Sequence, residues 1–351
     1  MRIAIVAHGL SDGGAERVAS LVANHYAQMG HDVLYIAAYS PERVYMLRED
    51  ITYVYVGGDF TNKLSRMFFR SRSIDRELRR FRAEIAVSFI RNESVYSTLR
   101  KTVPFVYSLR IDPAQVCASK IDRLGCLLAF NGARKVVFQT PDARDFFDER
   151  IRKKGLVIPN PLTRNLPVWD AEACEKTVIT ACRLNEQKNL PMLISGFAQF
   201  HTQFPDYTLR IYGHGELLEE LKAFAKECGV EACVEFPGYA RNIHEIMAHS
   251  GIFALTSDYE GLSNSMLEAL AIFQKKTVFF LERVMGIEPT RPAWKAGILP
   301  LNYTRIFISF ECLNIISYLF VFVNTFLKLF SKNNQKSFRK PFPIDKIALL
   351  Y

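Results

Sequence analysis

Short apolar runs alternate along this chain with stretches whose apolar residues recur at helical spacing. IAIVAH (3–8) is followed by a glycine-containing loop. Ala15, Val18, Val22, Tyr26 and Met29 then repeat at about 3.6 residues, and Gly30 closes the pattern. This predicts a strand, a turn and a helix over 15–29. VLYIAAY (33–39) and ITYVYV (51–56) predict a second and a third strand, and a basic helix follows near 63–82. EIAVSFI (84–90), FVYSLR (105–110) and KVVFQT (135–140) continue the series. Unbroken apolar runs of this length fit a parallel sheet buried on both faces. The alternation is that of a doubly wound sheet with right-handed crossovers. The first run is shorter than the apolar core of a signal peptide and has no small-residue cleavage site after it, so a strand is expected there rather than a leader.

The pattern breaks at PNPLTRNLPVWD (159–170), with prolines at 159, 161 and 167, and then restarts. TVITACRL (177–184), YTLRIYGH (207–214), CVEFPG (233–238) and GIFALTS (251–257) read as strands, with helices near 190–204, 216–228, 242–249 and 264–272. Asn189 is expected to cap the first of these helices, with Pro191 in its first turn and Leu190, Leu193, Ile194 and Phe197 on its inner face. The expected fold is therefore α/β, with two Rossmann-like halves facing a cleft. The expected domains are 1–158, a linker at 159–176, a partial domain at 177–272 and an atypical tail at 273–351. Ligands of such sheets sit at the carboxyl ends of the strands and between domains. The architecture alone leaves open a sugar-nucleotide enzyme, a dehydrogenase or a two-lobed binding protein.

Composition narrows the choice. A chain of 351 residues suits two domains of roughly 100–200 residues each. With 49% hydrophobic and 23% charged residues it is not disordered as a whole. Its seven cysteines form no C-x-x-C pair, which disfavours a zinc ribbon or dithiol motif and suggests buried free thiols in a reducing compartment. The net charge is +9, but from Phe273 onward there are 12 basic and 4 acidic residues, leaving 33 and 32 before it. A nucleic-acid footprint would be a patch on a folded face, so this tail-borne excess argues against nucleic acid as a partner.

Three segments carry candidate chemistry. In SDGGAER (11–17), Gly13 and Gly14 allow close backbone approach to a ligand, and the helix that follows offers unpaired N–H groups to an anion. A tight turn with Glu16 as a dipole partner would look the same. The G-x-G-x-x-G fingerprint is missing and no acidic residue ends the second strand, which argues against NAD. In ACRLNEQKNL (181–190), Arg183 and Lys188 stand at a strand end just before a helix, where a diphosphate leaving group needs positive charge. Two solvated cations are the plainer alternative. In SDYEGLSNSMLEAL (257–270), Glu260 in a loop and Glu268 one turn into a helix could accept hydrogen bonds from sugar hydroxyls. An exposed pair on loop and helix is the plainer alternative here too.

Taken together and in order, GGAERV (13–18), I-P-N-P (158–161), R-L-x-x-x-K (183–188), Y-G-x-G (212–215), F-P-G (236–238) and E-G-x-x-x-x-x-x-E-A (260–269) resemble glycosyltransferase family 4 over about residues 1–272. These are retaining enzymes of the GT-B fold. The resemblance implies a nucleotide-sugar donor, UDP-linked in preference to GDP-linked, and a polysaccharide or lipid-linked glycan acceptor, with no cofactor and no required metal. It implies that Arg183 and Lys188 bind the diphosphate, that Glu260 contacts the donor sugar and that Glu268 holds the ribose. Gly13, Gly14, Gly213 and Gly215 fall on the donor side. Ser108, Arg110 and Asp112, in S-L-R-I-D-P (108–113), match a run of related bacterial members and are placed on the acceptor side. The expected location is the cytoplasm or the cytoplasmic face of the inner membrane.

The chain departs from the family twice. Many members carry a His near the transferred sugar, and SFIRNESV (88–95) has none. After Ala271 the family's G-x-P-V strand and further β/α units are replaced by a Phe-rich basic tail. Within it, MGIEPTRPAWKAGILPLNYTR resembles a segment at the ends of unrelated bacterial chains, as a frameshift, insertion or read-through would leave. A hydrophobic stretch at 306–330, followed by Lys332, Lys336, Arg339 and Lys340, is a candidate transmembrane segment. The rival to an active transferase is a truncated, inactive remnant that at most binds nucleotide.

Overall fold

The computed structural model describes residues 1–11, 13–58, 63–92, 94–163, 165–170, 172–273, 277–282 and 305–310. They fall into two units. Of the described residues, the first holds Met1–Pro161 together with Glu260–Ser263, and the second holds Leu162–Tyr259 and those from Asn264 onward.

The first unit runs β1 (Arg2–Ala7), α1 (Gly14–Gln28), β2 (Asp32–Ala37), β3 (Thr52–Tyr55), α2 (Lys63–Arg80), β4 (Ile85–Ser88), α3 (Val95–Leu99) and β5 (Phe105–Ser108). It continues with α4 (Pro113–Val116), α5 (Lys120–Gly132), β6 (Lys135–Phe138), α6 (Pro141–Asp145), α7 (Glu149–Arg152) and β7 (Gly155–Val157). Its seven parallel strands lie in the order β3-β2-β1-β4-β5-β6-β7. The two-residue period of a strand divides each apolar run between the two faces of the sheet. Ala4, Val6, Leu34 and Ile36 pack with Ile74 and Leu78 of α2 and with Ala129 and Phe130 of α5. Ile3, Ile5, Val33 and Tyr35 pack on the other face with Ala19, Ala23 and Ala27 of α1. That double burial is why these strands carry no polar face.

The second unit runs β8 (Glu175–Ala181), α8 (Leu190–His201), β9 (Thr208–Tyr212), α9 (Leu218–Glu227), β10 (Val234–Gly238), α10 (Ile243–Ala248), β11 (Ser250–Leu255) and α11 (Asn264–Ile272). Single 3₁₀ turns at Glu186–Lys188 and Glu231–Cys233 interrupt the loops. Val178, Leu209, Ile211 and Ile252 of the strands pack with Leu190, Leu193, Ile194 and Phe197 of α8 and Leu221 of α9. From Leu162 onward the stretch expected to be a linker is anchored to this unit. Trp169 is buried, its Nε1–H donates to the carbonyl of Ser250 at 2.8 Å, and its ring stands 6.2 Å from that of Phe273.

Two more strands follow, β12 (Thr277–Glu282) and β13 (Arg305–Phe310), giving the order β10-β9-β8-β11-β13-β12. The four strands before residue 273 are mutually parallel, whereas β13 is antiparallel to β11 and β12 is antiparallel to β13. The start of the candidate transmembrane stretch therefore lies in a strand. Residues 311–330, and Cys312 with them, lie outside the described residues. Among the described residues no helix is long and apolar enough to cross a membrane. The six described cysteines are free, but only Cys126 is fully buried, so the expectation of buried thiols fails for the other five.

Candidate functional site

The strand order of the second unit reverses at β8, with β9 and β10 on one side and β11 on the other. Loops that leave the carboxyl ends of strands on either side of such a switch point diverge and leave a crevice for a ligand. Here those loops are residues 182–189 after β8, which carry Arg183 and Lys188, and 256–259 after β11.

Backbone contacts fix the first loop. Leaving β8, Cys182 N–H donates to Tyr212 O at 3.0 Å and Leu184 N–H to His214 O at 3.0 Å, so the loop after β8 is zippered to the loop after β9. Glycine is required for that approach. Gly213 has φ +126°, and a Cβ there would overlap the Cys182 carbonyl oxygen; at Gly215 it would overlap that of Leu184. In this structure the glycines of Y-G-x-G are thus spent on the chain that presents Arg183. Arg183 itself is exposed, and no side chain among the described residues holds its guanidinium.

Polar contacts then fix the second loop to the first. Asp258 N–H donates to Gln187 O and Gln187 Nε2 to Tyr259 O, both at 2.9 Å. Thr256 Oγ1 donates to the carbonyl of Lys188 at 3.0 Å. Lys188 closes the 3₁₀ turn and is half-buried. Asn189 stands at the N-cap position of α8, but its side chain makes no cap bond. It adopts the left-handed conformation, φ 44°, and turns its amide to Asp258 Oδ1 at 2.8 Å. The expected cap is instead a staple between the two loops.

Glu268 is buried on α11 with both oxygens engaged. Thr163 Oγ1 donates to Oε1 at 2.9 Å, and His244 Nε2 on α10 lies 3.0 Å from Oε2. A carboxylate has about four lone-pair sites, so it keeps acceptor capacity for a hydroxyl.

Glu260 is half-buried and belongs with the first unit, in the segment Glu260–Ser263. A buried amide organises its surroundings. Asn160 Oδ1 accepts from Arg110 Nη1 at 2.8 Å and from Gln139 Nε2 at 3.0 Å, while its Nδ2 donates to Leu262 O at 2.7 Å. Arg110 Nε also donates to Ser108 Oγ at 2.7 Å. Burial lowers the guanidinium pKa to about 10, which leaves it charged at neutral pH. Asp112 is occupied as the cap of α4, accepting from Ala114 N–H at 2.8 Å, and burial holds its carboxyl above the usual range. The sequence blocks S-L-R-I-D-P, I-P-N-P and E-G therefore meet.

At the end of β1, Gly13 caps α1 in extended conformation and Gly14 opens the helix. The Glu16 carboxylate folds back over Gly13, into the space a Cβ would take. Its Oε1 is 3.9 Å from Nδ1 of His8, whose ring stacks on Tyr39 with centroids 4.5 Å apart. The anion position at this helix start thus holds a carboxylate of the chain itself.

The structure adds Asn160, Gln139, Thr163 and His244 to the residues around the candidates. Asn160 lay within a recognised block without a role; the other three carry no signal in sequence, since each is defined by a partner far along the chain. Among the described residues no group of three or more His, Cys, Asp or Glu is placed to hold a metal ion.

Residues 166–273 match the sequence model of the family glycosyl transferases group 1. An uncharacterized glycosyltransferase of Haemophilus influenzae is 26% identical over 273 residues, covering 74% of this chain and 75% of that one. Over residues 166–273 the chain is thus similar to the group 1 glycosyltransferases. A Campylobacter jejuni protein named N-acetylgalactosamine-N,N'-diacetylbacillosaminyl-diphospho-undecaprenol 4-alpha-N-acetylgalactosaminyltransferase is 37% identical over 97 residues, 28% of this chain and 26% of that one. Among solved structures, Anabaena HepE in complex with UDP superposes with a TM-score of 0.59 at 17% identity, covering 77% of this chain and 78% of that chain. The fold of this chain is accordingly that of the GT-B enzymes. The family match ends at residue 273, four residues before the first of the two antiparallel strands.

Proposed function

We propose that the chain is a retaining transferase of the family 4 type. It moves a hexose or N-acetylhexosamine from a UDP-sugar to a polysaccharide or lipid-linked glycan. The observation that carries this reading is the pair Arg183 and Lys188 on a loop bolted at the switch point of the second sheet. As the bond from the anomeric carbon to the diphosphate oxygen breaks, the electron pair stays on that oxygen and negative charge grows there. Cations carried on a loop whose backbone is already fixed stabilise it with little reorganisation. The acceptor hydroxyl attacks from the face the diphosphate leaves, and its proton passes to the departing phosphate oxygen. Glu260 contacts the transferred sugar. Glu268, oriented by Thr163 and His244, accepts from a ribose hydroxyl. Gly213 and Gly215 shape the diphosphate loop, and Gly13 and Gly14 approach the phosphates once Glu16 swings aside. Ser108 and Arg110 face the acceptor, with Asp112 behind them. The UDP of the HepE complex and the lipid diphosphate in the name of the Campylobacter relative support the two substrate classes.

The rival reading, nucleotide binding without turnover, is favoured by the two strands described after residue 273, which pair antiparallel. One pair of measurements separates the two. UDP affinity and sugar transfer are measured on the same preparation, with a panel of UDP- and GDP-sugars, for the wild type and for Lys188→Ala. Transfer is expected and should fall about 10²–10³-fold in the variant. Tight UDP binding without transfer would establish the rival, and near-normal turnover in Lys188→Ala would remove the diphosphate role.

A further inference from the structure

Three neighbouring strand ends of the first unit send one polar side chain each to the same place. Arg110 follows β5, Gln139 follows β6 and Asn160 follows β7, and these strands are adjacent in the sheet. Their ladder runs on past the strand ends, with Leu109 N–H donating to Val137 O and Ile158 N–H to Phe138 O, both at 2.9 Å. Gln139 stands on the middle strand and is 4% exposed. A side-chain amide at that depth is costly unless its hydrogen bonds are made, and its Nε2 donates to Asn160 Oδ1 at 3.0 Å. Donor chemistry fixes how the amides point. A guanidinium can only donate, so Arg110 Nη1, at 2.8 Å, must face the oxygen of Asn160. Asn160 therefore turns its Nδ2 to Leu262 O, at 2.7 Å. Gln139 meets the same Asn160 oxygen and must offer its nitrogen. Its own Oε1 is left toward Gly261, in the space that a Cβ of residue 261 would occupy. The carbonyl oxygen of Arg110 and the Cα of Ile111 close that space at 3.1 Å each.

The network thus grips the segment Glu260–Ser263 at two points, by a hydrogen bond on Leu262 and by the Gln139 amide packed against Gly261. That segment has no helix or strand of its own to set its backbone. A buried amide network could serve stability alone, but this one ends on the residue bonded to Glu260. We propose that Gln139 is a positioning residue for Glu260, acting through Gly261. It sets where the carboxylate meets the transferred sugar. The inference rests on the sugar contact proposed for Glu260. Loops gain precision from the rigid scaffold that holds them, and a misplacement of about 1 Å can cost roughly 100-fold in rate.

The test is calorimetric titration of the full chain with UDP, UDP-glucose and UDP-N-acetylglucosamine, beside transfer kinetics. The ratio of UDP-sugar to UDP affinity isolates the sugar contact and needs no turnover. Glu260→Ala sets the full loss of that ratio. Gly261→Ala drives a methyl group into the Gln139 amide. It should lower the ratio at least fivefold and kcat at least tenfold, with UDP affinity kept within about twofold. Adding Gln139→Ala to Gly261→Ala opens the space and should regain at least threefold in the ratio. Gln139→Met keeps the length of the side chain and adds no overlap but deletes the bond to Asn160. It should lower the ratio about threefold, and it reads the prediction even where circular dichroism shows Gly261→Ala unfolded. An unchanged ratio in Glu260→Ala would remove the proposed sugar contact and this inference with it. A lowered ratio in Glu260→Ala would keep that contact, and three results would then overturn the role of Gln139. These are an unchanged ratio in Gly261→Ala and Gln139→Met, equal losses of UDP and UDP-sugar affinity in them, or no recovery in the double variant.

Discussion

Gly13 and Gly213 stand at strand ends, one in each unit, and an added methyl group would meet different things at the two. At Gly13 it would meet the end of the Glu16 side chain, which can rotate away; the backbone there, φ −73°, suits any residue. At Gly213 it would meet the Cys182 carbonyl, which is held in a strand-end ladder, and φ is +126°. The same contrast extends to charge. The first unit turns its strand-end carboxylates onto its own helices, Glu16 over α1 and Asp112 onto α4, whereas the second holds a rigid loop and leaves Arg183 outward. Electrostatic preorganisation requires groups that do not move when charge develops, and by that criterion the loop of the second unit suits the diphosphate role proposed for it.

The largest expected effect tests this contrast directly. Gly213→Ala should destabilise the second unit by roughly 3 kcal/mol and abolish UDP binding, since it adds a strained dihedral to a backbone collision. Gly13→Ala should cost under about 1 kcal/mol. Urea denaturation of both variants reads the difference, and similar losses would end the distinction between a fixed and an adjustable loop. Next is Asn160→Leu, which leaves Arg110 and Gln139 without their shared acceptor and Leu262 O without its donor. A loss of about 2–3 kcal/mol is expected, because buried polar groups left unpaired keep their desolvation penalty. Because Leu262 is two residues from Glu260, sugar transfer should fall more than UDP affinity. Glu268→Gln should then weaken UDP binding about tenfold with turnover nearly kept, as a ribose contact is equally strong in ground and transition states. Isothermal titration beside steady-state kinetics separates the two quantities.

What the sequence discloses follows from the range of the interactions involved. The strands of the first unit are legible because burial on both faces leaves unbroken apolar runs. The three-residue β7 escapes because it is short and only half-buried. Arg183 and Lys188 are legible because a strand end, a cation and a helix start lie within a few residues. The roles of Asn189 and Gly213 are not, since the partner of one is Asp258 and that of the other is Cys182 across a neighbouring strand. A cap residue is the local reading of Asn189, which the contact with Asp258 replaces, and only the neighbouring strand end shows why residue 213 must be glycine. Thr163 and His244 belong to Glu268 only once α10, α11 and the segment after Pro161 have packed together.

The smallest expected effect concerns Asp112 and sharpens the contrast in charge. Burial raises its carboxyl pKa, while the N–H of Ala114 pulls it part of the way back. The native state therefore binds this proton more readily than the unfolded chain. Stability from this group falls as pH climbs from the ordinary carboxylate value through the raised native one, and the penalty is complete above that. Asp112→Asn keeps an oxygen acceptor for Ala114 and removes the buried charge. The variant should be more stable than the wild type at pH 7, by under about 1 kcal/mol. The gap should close as pH is lowered below the ordinary carboxylate range, where both side chains are neutral. UDP affinity should not change, because this carboxylate is committed to α4. Thermal unfolding of both proteins at several pH values, with UDP titration at pH 7, provides the check. A variant less stable than the wild type at neutral pH would mean that the charge, and not only the oxygen, holds α4. A loss of UDP affinity would place a carboxylate of the first unit in the donor site and reduce the contrast between the units.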